Sequence, residues 1–123
     1  MIRGFVDHRY QAVVRLRVRG PSGIEIDVDA VFDSGFTDSL ALPPDTIAVL
    51  GLVRQIGGTA VMADGSLHHF DHFPAEVEWD GVWRRVMASA LGDEALLGMR
   101  LLAGHQLRMD VDPGGIVEIS ALP

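Results

Sequence analysis

A run of strict alternation constrains this chain more than any other feature. From Val14 to Val18 apolar residues alternate with Arg15, Arg17 and Arg19; beyond Gly20-Pro21-Ser22-Gly23, the residues Ile24, Ile26, Val28 and Ala30 alternate with Glu25, Asp27 and Asp29. A period of two sends one set of side chains to a buried face and the other to water, which a strand accommodates and a helix does not. The glycine-proline cluster is turn chemistry. The two runs are therefore expected to fold as a hairpin in which the arginines face the acids. Opposed cross-strand charges contribute about 0.2–1 kcal/mol each, so this charge run is a solvated face that sets register and not a binding patch.

The rest of the chain continues in short strands. Val28 to Phe32 is an apolar strand that leads into Asp33-Ser34-Gly35, and Leu40-Ala41-Leu42 is ended by Pro43-Pro44. Pro44-Asp45 is suited to open a short helix through Leu50, with Gly51 as its stop. Asp64-Gly65 and Asp80-Gly81 each predict a hairpin whose two turn residues take positive φ, and Gly57-Gly58 suggests a bend or bulge ahead of the first. Trp79 and Trp83, flanking the second turn, read as packing residues. Ala95 to Gly104 reads as a buried strand running into a short helix. Leu107, Met109 and Val111 then alternate, Asp112-Pro113-Gly114-Gly115 turns, and Ile116 to Ile119 makes a last strand. Short strands with one or two helical turns suggest an all-β sandwich or barrel. With 123 residues and no linker, repeat or low-complexity stretch, residues 1–123 are expected to form one domain.

Composition narrows the function classes. The net charge of −7 repels a phosphate backbone, so no nucleic-acid partner is expected. The absence of cysteine excludes disulfides, thiolate metal sites and cysteine nucleophiles, and fits a reducing compartment. Met1 to His8 lacks the apolar core of a secretory signal, and no apolar run approaches the roughly 18 residues of a membrane span. The expectation is a soluble, cytoplasmic chain with no membrane partner.

Asp33-Ser34-Gly35 alone is ordinary turn chemistry. Its surroundings are more specific: an apolar strand precedes it, Leu40-Ala41-Leu42 follows, and Leu96-Leu97-Gly98 stands before a helical stretch near the C-terminus. These motifs, in this order, resemble the retropepsin-like aspartic proteases (clan AA), whose pattern is two apolar residues, Asp-(Ser/Thr)-Gly, and later two apolar residues, glycine, a helix and a final strand. More narrowly, Phe32 to Thr37 resembles a little-characterised prokaryotic branch of that clan. The resemblance covers roughly Val13 to Ile119.

It implies a closed barrel of the acid-protease fold and a homodimer. Hydrolysing a peptide without metal or covalent intermediate takes two carboxyl groups sharing one proton, because two like charges that close cannot both ionise easily. The chain carries one Asp-Ser-Gly, so the second carboxylate must come from a second copy. By resemblance, Asp33 is the catalytic acid. Ser34 braces the partner's loop through its hydroxyl, and Gly35 lets the backbone approach the carboxylates. Phe36, Thr37 and Asp38 then border the substrate. The hairpin with Ala63, Asp64, Gly65 and Ser66 at its tip, within a flap from roughly Thr59 to Phe70, covers an extended peptide, and Leu96, Leu97 and Gly98 support the active-site loop. In the family both termini interleave in the dimer sheet; Gly115 to Leu122 fits that role best here, and Met1 to Val6 less well. No cofactor is implied.

Three departures stand out. Ser34 replaces the commoner threonine, and Phe36 stands where retroviral enzymes carry a small alanine. The acid and arginine that pair in those enzymes fall here on Thr37 and Met99, with Asp38 and Arg100 one position further on. Outside the motifs, His68 and His72 share a strand face but lie about 13 Å apart, too far to chelate one ion. His69 and Asp71 share the opposite face and supply only two ligands, so no metal site is expected and the histidines read as flap-strand residues. His8 and His105 are isolated. Glu76 and Glu78 read as a solvated face, and Ser22 lacks the strand-to-helix elbow of a nucleophile. Two functions from different classes remain open: an aspartic endopeptidase, and a non-catalytic dimeric β-barrel that binds peptide or protein, motivated by Phe36 crowding the loop.

Overall fold

The computed structural model describes residues 1–55, 57–61 and 63–123, with only the backbone described for residues 57, 58, 60 and 68–70. Among the described residues the elements are β1 (Ile2–Val6), β2 (Ala12–Arg19), β3 (Glu25–Phe32), β4 (Leu40–Leu42), α1 (Pro44–Leu50), β5 (Gly57–Val61), β6 (Leu67–Trp79), β7 (Val82–Ala90), β8 (Leu96–Leu97), β9 (His105–Met109) and β10 (Ile116–Ala121).

The alternating runs pair as β2 and β3, with Arg15 opposite Asp29, Arg17 opposite Asp27 and Arg19 opposite Glu25. Two of the three arginines bond the acid opposite: Arg15 Nε donates to Asp29 Oδ1 at 3.0 Å and Arg17 Nε to Asp27 Oδ1 at 3.1 Å. Arg19 approaches Glu25 only to 3.8 Å and instead gives two hydrogen bonds to Glu76 of β6, at 3.2 and 3.1 Å. Its guanidinium lies 4.0 Å from the centre of the Trp83 ring. The third arginine thus ties the β2–β3 hairpin to the β6–β7 hairpin.

Six strands close into a barrel. β3 pairs in parallel with β8, β8 antiparallel with β4, β4 in parallel with β7, and β7 antiparallel with β6. Pairing of β6 with β2 at Val18 and Val77 closes the ring. Val14, Leu16, Val18, Leu40, Leu42, Leu97 and Leu101 belong to one fully buried cluster. Helix α1 adds Ile47 and Leu50 to that cluster and stops at Gly51, which takes the left-handed conformation at φ 65°. Two pieces extend from the ring: the hairpin of β5 with the first half of β6, and a three-stranded unit in which β10 lies between β1 and β9. The fold is the expected all-β closed barrel with a short helix.

Several local expectations need correction. Gly57 and Gly58 pair within β5, opposite Asp71 and Phe70, instead of forming a bend ahead of it. Asp80 and Gly81 form the two-residue turn with φ of 53° and 82°. Among the described residues of the other hairpin only Gly65 has positive φ, because the paired register ends at Val61 and Leu67 and the longer connection turns without forcing Asp64 left-handed. The helix expected after Gly98 is absent. Met99 to Gly104 makes successive three-residue turns, with Leu102 N–H bonded to Met99 O and Ala103 N–H to Arg100 O. Gly104 at φ 81° then redirects the chain into β9, leaving too few residues to nucleate an α-helix. Val111 falls in the turn after β9 and does not continue the strand. Finally, β10 lies between β1 and β9, while β1 pairs with β10 from Ile2 to Phe5 and with β2 only at Phe5 and Val6. The C-terminal strand is therefore not an open edge.

His105 is not isolated. Trp79 Nε1 donates to its Nε2 at 3.2 Å, the rings meeting edge to face with centroids 5.5 Å apart, while Nδ1 lies 3.1 Å from Ala103 O. An acceptor Nε2 leaves the proton on Nδ1, facing that carbonyl. No helix among the described residues is long and apolar enough to cross a membrane.

Candidate active site

Asp33 sits where β3 leaves the sheet. β8 runs between β3 and β4, so the loop joining those two strands must cross the end of β8. The crossing is fastened by backbone hydrogen bonds at both sides. Asp33 N–H donates to Leu97 O at 3.1 Å, Gly98 N–H to Ser39 O at 3.0 Å, and Met99 N–H to Phe36 O at 2.9 Å. The structure therefore brings together the two motifs 60-odd positions apart in sequence, Asp33-Ser34-Gly35 and Leu96-Leu97-Gly98.

Packing explains the glycine. A Cβ on Gly98 would stand 1.8 Å from Asp38 O and 2.7 Å from Phe36 Cδ2, so no side chain fits between β8 and the loop. Phe36, half-buried, lays its ring against this glycine. The bulk that looked like crowding of the loop is turned onto the chain's own backbone. Leu97 is fully buried beneath the loop.

The Asp33 side chain is exposed and its Oδ1 accepts Gly35 N–H at 2.8 Å, which fixes one carboxylate oxygen. A Cβ on Gly35 would lie 3.2 Å from that same Oδ1, so the glycine keeps the carboxylate uncrowded. Ser34 and Thr37 are exposed. Asp38 Oδ1 lies 4.0 Å from Arg100 Nε, so the acid and arginine one position beyond the family's pair do meet, at the limit of an ion pair and with both side chains well exposed. Such a pair contributes little; backbone bonds hold the loop.

Asp33 opens onto a cleft of about 410 Å³ whose walls include Tyr10, Val31, Phe32, Leu96 and Met109, with Glu94 on its rim. Sequence reading missed Tyr10, Glu94 and Met109. They come from the β1–β2 turn, the β7–β8 connection and β9, and no local pattern links such distant segments. Tyr10 alone carries a signal: it is exposed and held at φ 62°, unusual for a bulky residue. The turn that imposes this is pinned by Asp7, whose Oδ1 accepts the N–H groups of Arg9 and Gln11, both at 2.9 Å. The Gln11 N–H in particular holds the Asp7 carboxyl below the usual carboxylate range.

Ala63, Asp64, Gly65 and Ser66 form the tip of the β5–β6 hairpin, all exposed. Ser66 donates to Asp64 Oδ1 from both its hydroxyl, at 2.6 Å, and its backbone N–H, at 2.9 Å, and these bonds lower the Asp64 pKa. Among the described residues no hydrogen bond or ion pair joins this tip to the Asp33 loop. Met62 and the side chains of His68, His69 and Phe70 lie outside the described residues. Among the described residues no group of three potential ligands could hold a metal ion.

No family model matches this chain and no curated protein matches it. Among solved structures it is similar to a retropepsin-like aspartic protease from Rickettsia conorii, at 17% sequence identity and a TM-score of 0.62, over 98% of this chain and 91% of that one. At that identity the likeness establishes the fold: a retropepsin-like barrel.

Proposed function

We propose that this chain, a retropepsin-like barrel with one Asp-Ser-Gly loop, is an aspartic endopeptidase whose active site is completed by a second copy. The observation that carries the reading is the geometry of Asp33. Its carboxylate is exposed at the mouth of a cleft, held by Gly35 N–H at 2.8 Å on a loop locked over β8, with no other acidic residue of a second Asp-Ser-Gly in the chain to pair with it.

Two such carboxyls, one from each protomer, share one proton across a two-fold axis. The ionised member takes a proton from water as its oxygen attacks the peptide carbonyl, and the protonated member gives its proton to the carbonyl oxygen. The resulting gem-diol collapses as the carboxyl that took water's proton gives it to the nitrogen, the C–N bond breaks, and the other carboxylate takes a gem-diol hydroxyl proton, leaving acid and amine products and one proton on the pair. Ser34 braces the partner's loop and Gly35 N–H holds the carboxylate. Phe36, Thr37 and Asp38 flank the substrate, and the hairpin tip at Ala63 to Ser66 covers it. An extended peptide satisfies that hairpin by strand-like bonding. Residues 1–123 act as one protease domain.

The test is turnover of a mixed peptide library by the purified protein at pH 4–7, beside Asp33→Asn. Cleavage by the wild type alone, with both proteins equally folded, supports the reading. An Asp33→Asn protein that cleaves at the wild-type rate overturns it.

A further inference from the structure

The completed site needs a second chain, yet β10 already lies between β1 and β9, and β1 is paired with β10 from Ile2 to Phe5. We infer that two copies join through the open edge of β9, His105 to Met109, pairing antiparallel about Leu107 into one continuous sheet; this rests on the dimeric reading of Asp33. Among the described residues β9 pairs only with β10. The bonds Asp110 N–H to Ile116 O and Leu122 N–H to Gly104 O fix the alternation of that pairing. It directs the amides of Gln106 and Arg108 to β10, and those of Leu107 and Met109 to the open edge.

The edge has the features of a built contact. Open edges are usually blunted by proline, bulges or charged side chains; β9 has neither proline nor bulge, and its exposed Arg108 sits beside Glu118 of β10. Leu107 and Met109 face the same side as the buried Ile119 and Val117, yet stay only half-buried, with no strand paired beyond them among the described residues. Met109 also lines the Asp33 cleft, which sets the catalytic loop beside this edge. The start of β9 is fixed to the barrel by the Trp79–His105 hydrogen bond.

The sequence is self-complementary in this register. Leu107 meets the partner's Leu107 with a reciprocal pair of backbone bonds, and each Met109 N–H reaches the partner's His105 carbonyl. His105 N–H is already used by Leu102 O, so it needs no partner there. Arg108, which sits beside Glu118 within the protomer, falls opposite the partner's Gln106, so no like charges oppose across the axis.

That register supplies a two-signed test. Gln106→Glu places a carboxylate opposite the partner's Arg108 twice over and should tighten the dimer, lowering its dissociation constant by about two- to thirtyfold. Gln106→Arg should raise it by a similar factor. Leu107→Pro removes an edge-facing N–H that the protomer does not use, and should leave a folded monomer by circular dichroism. Dissociation constants come from sedimentation equilibrium, with peptide turnover measured on the same samples. A dimer indifferent to all three changes, or a wild type monomeric at every concentration, overturns the interface. Shifts of the stated sign in a protein that cleaves no peptide uphold the interface and overturn the hydrolase reading instead. Turnover by a dimer that ignores these changes does the reverse.

Discussion

Gly98 and Asp38 touch so closely that a single added carbon on the glycine would stand 1.8 Å from the Asp38 carbonyl oxygen. This contact is where the two halves of the candidate site meet. It transmits the position of β8 to the loop that carries Asp33, through backbone that cannot rearrange side chains to relieve a clash.

Gly98→Ala should therefore destabilise the fold by about 1–3 kcal/mol, the usual range for forced overpacking. It should also displace the Asp33 loop. Thermal unfolding monitored by circular dichroism reads the first effect. A variant as stable as the wild type would mean that the loop gives way easily.

Arg100→Ala should behave differently. Its partner Asp38 lies at 4.0 Å and both side chains are well exposed, so the loss should be below about 1 kcal/mol. Urea unfolding of the two variants side by side shows whether backbone bonds or charge hold the loop.

Asp33→Asn should lower peptide turnover by about a hundredfold or more, the scale of a lost acid–base group. Because the Asp33 side chain is exposed and bonds only Gly35 N–H among the described residues, unfolding midpoint and oligomeric state should hold. Peptide hydrolysis and sedimentation on one preparation check both.

Leu97→Ala should cost about 2–5 kcal/mol, since Leu97 is fully buried beneath the loop and the cavity could not close. Chemical denaturation measures this directly.

The pH dependence of stability follows from carboxylates held below their ordinary range. Arg17 does this to Asp27, and the Gln11 N–H to Asp7. A group with a lowered folded-state pKa contributes its stability above the unfolded value, near 4, and loses it as pH falls through the lowered one. The urea midpoint should thus stay level from pH 7 to about pH 5 and fall below about pH 4. Asp27→Asn should make that fall shallower; a midpoint that rises towards pH 3 would contradict this account.

The chain's local chemistry made part of this legible. Alternation and opposed charge set the arginines of one strand against the acids of the next, which the structure realises as Arg15 with Asp29 and Arg17 with Asp27, because period and charge pattern are carried by residues near in sequence. Pro44 and Gly51 bounded the helix for the same reason. Asp33 and Leu96-Leu97-Gly98 were recognisable as motifs, and only the family resemblance, not any local pattern, made them neighbours.

Tertiary structure decided whatever depends on segments far apart meeting. Arg19 bonds Glu76, not Glu25, because closing the barrel brings β6 beside β2. His105 gains Trp79, and Tyr10, Glu94 and Met109 converge on Asp33, by the same route. The C-terminal strand, a natural edge when read alone, became an interior one because β1 returned to cover it. Propensity and period fix what each segment becomes; which backbone groups are left unpaired is settled only when every strand has found its neighbours.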